Sequence, residues 1–256
     1  VRYGNLVIDI LTLFPDMFAG PFQASIIKNA VRNGFLTINL IDIRDFSGNR
    51  HRTVDDAPYG GGAGMVMEPG PIFRAVDYVR ERRGHALGRV ILLCPQGRPF
   101  KQMWASDLAR EEHLVLICGH YEGIDERVRE QLITDEISIG DYVLTGGELP
   151  AMVVVDAVAR LVPGVLGDAV SPAEDSFSAG LLEYPHYTRP KNFCNHFVPD
   201  VLLSGHHEEI RRWRRRQALL RTLGRRPDLF GQLELAGEDK DILKKLRSDL
   251  ESLKLD

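Results

Sequence analysis

The chain has 256 residues, 44% of them hydrophobic and 27% charged, with a formal net charge of −4. This length and composition predict one large or two modest domains with cores of their own, and exclude a disordered or fibrous chain. No stretch is long and apolar enough for a transmembrane helix, and Val1 to Phe14 carries Asp9 and lacks the basic-then-apolar order of a signal peptide, so a cytoplasmic protein with no membrane partner is expected.

Val7 to Phe14 predicts a first strand, and Pro15-Asp16-Met17-Phe18 the turn into a helix running to about Asn33, where Gly34 ends it. Leu36 to Ile43 alternates apolar and polar residues as a strand does, and a loop rich in Asp, Gly, Arg and His follows to Gly64. Glu68 to about Arg83 reads as a helix with Pro69 and Pro71 in its first turn, where proline is tolerated. Arg89 to Cys94 reads as a strand closed by Pro95-Gln96-Gly97, and Lys101 to about Glu112 as a helix. Leu114 to Cys118 is then a strand, Asp125 to about Gln131 a helix, Glu136 to Ile139 a strand, and Leu149 to Leu161 an amphipathic helix. This alternation predicts a mainly parallel α/β domain over residues 1–165. Beyond Pro163, small residues and prolines without apolar periodicity mark an interdomain linker over 166–179. Glu208 to Thr222, Pro227 to Leu233 and Asp239 to Leu253 then predict a small, mainly helical domain over 180–256.

Three loops at predicted strand ends carry the chemistry: Leu93 to Gly97, Gly119 to Gly123, and Ile139 through Pro150. Open α/β sheets bind ligands at the carboxyl ends of their strands, and glycines there let backbone approach a ligand closely. A nucleotide-type cofactor is the natural expectation, yet neither a Walker loop nor a GxGxxG fingerprint follows the first strand, which disfavours phosphoryl and hydride transfer. Cys94, Cys118 and Cys194 are far apart and without metal-ligand spacing, so neither a disulfide framework nor a metal site is expected from them. The segment from Arg211 to Arg226 holds eight arginines and no acid, a composition suited to phosphate. These features alone leave open a nucleotide-binding metabolic enzyme, a catalytically silent RNA-binding module and an RNA-modifying enzyme.

Seven motifs in order narrow the choice: PYGGGAGMVM from Pro58, LLCPQGRPF from Leu92, CGHYEGIDERV from Cys118, SIGDYVLTGGELPAM from Ser138, EDSF from Glu174, HYTRP from His186 and LLSGHHEEIRRWRRRQ from Leu202. Together they resemble the TrmD family of bacterial tRNA (guanine-N1)-methyltransferases, in the SPOUT superfamily, over about Val7 to Phe230. The resemblance implies a SPOUT-type parallel sheet tied in a deep trefoil knot, with S-adenosylmethionine bent inside it, and an obligate homodimer whose active site joins the knot of one subunit to the linker and carboxyl domain of the other. Periodicity alone would have given an ordinary doubly wound sheet, because knots are rare.

The same resemblance implies methyl transfer to N1 of the guanosine immediately 3′ of the tRNA anticodon. Asp175 matches the general base, Arg160 the guanidinium that stabilises charge on O6, and Glu122 a carboxylate near cofactor and target base. Leu92, Leu93, Pro95, Gly119, Tyr121, Glu122, Ile139, Gly140, Tyr142, Leu144, Gly146, Gly147 and Pro150 match positions around the cofactor, and Cys94 stands where the family has serine. Magnesium near the methionine moiety or the guanine is also implied, without a ligand set. Arg189, Arg211, Arg212, Arg214 and Arg215 are expected to hold tRNA phosphates, with steep salt dependence.

Overall fold

The computed structural model describes residues 5–84, 87–166 and 175–252, the side chains of 249–252 excepted. The chain divides into two compact units, Val1–Ala169 and Val170–Asp256. Residues 167–174, which include most of the expected linker and Glu174 of the EDSF motif, lie outside the described residues.

In the first unit, β1 (Leu6–Thr12) leads through a 3₁₀ turn (Pro15–Phe18), α1 (Ala19–Phe22) and α2 (Ser25–Arg32) to β2 (Leu36–Asp42). The single helix expected to run from the Pro15–Phe18 turn to about Asn33 is therefore broken. Pro21 sits in the first turn of α1, where its missing N–H costs nothing; the break falls after Phe22, where Ala24 is extended and Ser25 turns the chain at φ 50°. A long loop follows, in which β3 (Asp55–Asp56) pairs antiparallel with β4 (Val66–Met67), a ladder too short to show a sequence period. Then come α3 (Pro69–Arg82), β5 (Arg89–Pro99), α4 (Gln102–Leu108), β6 (His113–Cys118), α5 (Glu126–Leu132), β7 (Asp135–Ser138) and α6 (Glu148–Ala159).

The five long strands form one parallel sheet in the order β2-β1-β6-β5-β7. Its strands are apolar on both faces because helices cover both. Alternate residues Leu114, Leu116 and Cys118 of β6 enter one core with α2, α4 and α6, while Val115 and Ile117 enter the other with α3. Asp9 is among the few exceptions, a buried carboxylate in mid-strand. It accepts from His113 Nε2 at 2.8 Å and from Asn39 at 2.7 Å, and the Gly88 amide donates to His113 Nδ1, which assigns the imidazole proton to Nε2.

β5 runs five residues past the point expected from Pro95-Gln96-Gly97. Ile137 of β7 pairs with both Leu93 and Arg98, so the intervening residues bulge out of the ladder and the strand resumes. Gly97 permits this, since a Cβ there would lie 2.5 Å from the backbone of Ile137. On α6, Ala151, Val154, Val155, Val158 and Ala159 are buried, but Leu149 and Val153 on its outer side are half exposed, so the helix is more apolar than an amphipathic one.

In the second unit, β8 (Asn192–Phe193) and β9 (His196–Phe197) form a hairpin that sequence periodicity does not reveal. A 3₁₀ turn (Asp200–Leu203) leads to α7 (His207–Arg225), α8 (Pro227–Phe230) and α9 (Gly237–Ser252). Its core is small: Leu181, Ala218 and Leu219 pack with Tyr184, Phe230, Leu233, Leu235 and Ile242. The Thr222 hydroxyl donates to the Ala218 carbonyl and accepts from the Leu182 amide, tying the incoming chain to α7.

Candidate active site

A cleft of about 220 Å³ opens in the first unit at the carboxyl ends of β5, β6 and β7. Each strand end contributes one of the three loops anticipated from the sequence. Leu93 and Pro95 come from β5, Gly119, Tyr121 and Glu122 follow β6, and Ile139, Gly140, Tyr142, Leu144, Gly146, Gly147 and Pro150 follow β7. Of the thirteen expected cofactor positions only Leu92 is not in the lining; its side chain points into the core on the opposite face of β5. Cys94, His120, Gly123, Ile137, Ser138, Val143 and Thr145 complete the walls.

Glycine allows these loops to pass each other without intervening side chains. The Gly147 amide donates to the Gly119 carbonyl at 2.8 Å, and a Cβ on Gly147 would stand 2.6 Å from Cys118 Cα. Gly140, at φ 154°, lies against the Tyr142 ring, 2.4 Å from where its Cβ would be. Tyr121 holds a left-handed backbone at φ 58°, a conformation costly for a non-glycine residue and concentrated at functional sites.

Glu122 is fixed from the far side by the glycine-rich segment. Its amide donates to the Met65 carbonyl at 3.0 Å, the Met67 amide donates to the Gly123 carbonyl at 2.9 Å, and Gly64 leaves room for the carboxylate stem. The PYGGGAGMVM motif therefore belongs to the same site as the loop after β6.

Sequence gives little sign of the partners of three polar groups at or beside the cleft. Glu148, the first residue of α6, is 2% exposed and accepts from the buried Thr12 hydroxyl at 2.7 Å. His120 stacks between Phe14 and Tyr121, and its buried Nδ1 has no hydrogen-bond partner among the described residues. The only available sequence signal was an acid directly after a glycine pair at a helix start. Third, the Cys94 thiol donates to Glu136 at 3.2 Å, and Glu136 also accepts from Arg129. Burial and then that carboxylate push the Cys94 thiol up, so it stays protonated.

The cleft suits S-adenosylmethionine on these observations. Glycine edges leave room for close backbone approach, apolar walls from Leu93, Ile139, Leu144 and Pro150 suit a purine face, and the unpartnered His120 nitrogen awaits a polar group. Among the described residues no group of three or more His, Cys, Asp or Glu side chains could hold a metal ion, so no protein cage for the implied magnesium lies among them.

Arg160 caps the carboxyl end of α6, as the helix boundary leads one to expect. Asp175 lies in the second unit, in the wall of a cavity of about 450 Å³ that also includes Tyr184, His207, Arg211, Arg214 and Arg215. The arginine run is less free than its sequence suggests, because acids from outside the run meet it. Arg211 pairs with Glu208 and Glu238, Arg212 with Glu208, and Arg215 makes two hydrogen bonds to the buried Asp239. Arg214 lies over the Tyr184 ring at 4.8 Å, and Arg189 is exposed.

Comparison with known proteins gives the family. The family model described as tRNA (Guanine-1)-methyltransferase TrmD matches residues 6–232. Among curated relatives, the tRNA (guanine-N(1)-)-methyltransferase of Pelotomaculum thermopropionicum is 69% identical over 97% of this chain and 99% of the relative. Those of Desulforamulus reducens and Geobacillus kaustophilus are 64% and 59% identical, over 97% and 95% of this chain and 98% and 99% of the relatives. The chain belongs to the TrmD family of tRNA (guanine-1)-methyltransferases.

Proposed function

We propose that this protein transfers the methyl group of S-adenosylmethionine to N1 of the guanosine immediately 3′ of the tRNA anticodon, in the cytoplasm. The observation that carries the reading is the convergence of twelve of thirteen expected cofactor positions, from three separate loops, on one cleft.

S-adenosylmethionine supplies a methyl group on a positively charged sulfur, with a neutral thioether as leaving group. The residues must therefore prepare the guanine. N1 carries a proton at neutral pH, and Asp175 accepts it as the N1 electron pair forms the bond to the methyl carbon. The C–S bonding pair leaves with sulfur. Negative charge that spreads to O6 as the proton departs is met by the Arg160 guanidinium, an interaction stronger in the transition state than in the ground state. Glu122, held against Gly64, lines the place where cofactor and base meet. No step is routed through magnesium. Extruding the base from the anticodon loop gives access to N1, while Arg189, Arg211, Arg212, Arg214 and Arg215 position the stem through phosphates.

A trefoil knot over the cleft accords with three features: the loop after β7 crosses directly against Cys118 and Gly119, His120 bridges Gly146, and β5 bulges around Ile137. Homodimerisation is supported by exposed apolar side chains beside the cleft, Val143 at 85%, Leu149 and Val153. In that assembly Asp175 of one protomer serves the cleft of its partner. The direct test is incubation with labelled S-adenosylmethionine and tRNA transcripts that have or lack guanosine at the target position, followed by nucleoside analysis. N1-methylguanosine should form only with the first; its absence refutes the reading.

A further inference from the structure

Between Glu183 and Asp200 the second unit contains no acidic residue, while Arg189, Lys191 and the aromatic residues Tyr184, Tyr187, Phe193 and Phe197 all fall there. Residues 186–197 are exposed throughout. At the tip of this segment the β8–β9 hairpin turns through Cys194 and Asn195, at φ 49° and 61°, the sign that a tight hairpin turn requires. Its register sets Phe193 opposite His196 and Phe197 opposite Asn192. Successive residues of a strand face opposite sides, so the two rings stand on opposite faces of the ribbon. Phe193 is 67% and Phe197 63% exposed. At the ribbon's base the Tyr187 ring lies 6.3 Å from that of Trp213 on α7.

A two-stranded ribbon gains little stability alone, and two phenyl rings left in water add nothing to it, so folding does not account for them. We infer that the ribbon is a stacking platform for unpaired bases of the RNA substrate. Each phenyl ring takes the face of one base, and Arg189 and Lys191 meet the flanking phosphates. This rests on the reading of tRNA as substrate. Charge favours a polyanion: the exposed segment 186–197 that carries the ribbon holds Arg189 and Lys191 and no acid. Aromatic rings interleaved with cations are how single-stranded nucleic acid is held, because every base offers a π face.

The test compares two double variants of the full chain, Phe193→Leu with Phe197→Leu, and Phe193→Trp with Phe197→Trp. Leucine keeps apolar area and loses the ring; tryptophan keeps the ring. tRNA affinity is read by fluorescence titration, alongside KM for tRNA, S-adenosylmethionine affinity and sedimentation. The leucine variant should bind tRNA about tenfold or more weakly, with S-adenosylmethionine affinity and sedimentation unchanged, and the tryptophan variant should bind as the parent does. Parent-like tRNA affinity in the leucine variant overturns the inference, and so does a change of oligomeric state without a change in tRNA affinity. Because tRNA affinity is read independently of turnover, an unmethylated tRNA would count against the proposed activity alone.

Discussion

Replacing Gly147 by alanine isolates the loop crossing on which the cleft depends. The new Cβ would lie 2.6 Å from Cys118 Cα and 2.9 Å from Gly119 N, against roughly 3.5–4.0 Å for an ordinary carbon contact. Gly147 has φ −81°, open to any residue, so the effect is steric and not a backbone preference. Both obstacles are backbone at the end of a fully buried strand, and no rotamer change relieves them. Opening about 1 Å overpacks the crossing, at about 1–3 kcal/mol. It also loses the Gly147 to Gly119 hydrogen bond, worth roughly 0.5–1.5 kcal/mol. The expected loss is about 2–4 kcal/mol, a fall in urea midpoint of about 1 M or more, with turnover down about a hundredfold from misplaced cleft residues. Gly20→Ala is the control: nothing stands within 4 Å of its Cβ position, and its effect should stay within about 0.5 kcal/mol. A Gly147→Ala protein with parental midpoint and parental S-adenosylmethionine affinity would refute the crossing.

Thr12→Val removes the hydroxyl that donates to buried Glu148; urea denaturation should show a loss of about 1.5–3 kcal/mol, and adding Glu148→Gln should recover part of it. Burial tends to raise the Asp9 carboxyl, but hydrogen bonds from His113 and Asn39, with charge from Arg82, outweigh it and hold it below the usual carboxylate range. Its contribution is therefore present above the unfolded value of about 3.9 and lost as pH falls through the lowered folded value. Melting curves across pH 2–6 should show parental stability falling at the acid end, and Asp9→Asn should flatten that fall while lowering stability at pH 6. Arg215→Ala should act on stability more than on tRNA, because it strips buried Asp239 of its partner; about 2–3 kcal/mol is expected, whereas Arg189→Ala should leave melting unchanged and reduce the salt slope of tRNA binding by about one.

What sequence reveals here follows from what is local. β6 was legible because six consecutive buried residues need both faces covered, and α3 because its prolines sit where a helix begins. The three cleft loops were legible because glycines follow apolar runs. The split of the first helix at Ser25 had no such signal, since Gln23, Ala24 and Ser25 are not strong helix breakers. β5 was cut short for the opposite reason: Pro95 and Gly97 look like a stop, and only pairing to Ile137, distant in sequence, carries the strand past them. Glu148 and Thr12 are 136 positions apart, so their bond has no local signature. The same holds for Glu238 and Asp239, which occupy arginines 24 to 27 positions earlier. The apparent freedom of that run was a property of its own composition and not of its surroundings.

In the proposed dimer, a methyl donor held in the cleft of one protomer meets Asp175 of its partner over guanine N1. Coexpression of Glu122→Ala and Asp175→Ala chains under different tags, with purification of the mixed dimer, tests this most directly. A mixed symmetric dimer has one site bearing both substitutions and one bearing neither, so the purified heterodimer should recover about half the parental methylation rate while each homodimer stays inactive. A heterodimer as inactive as either parent variant, or a monomer that methylates on its own, would contradict the claim.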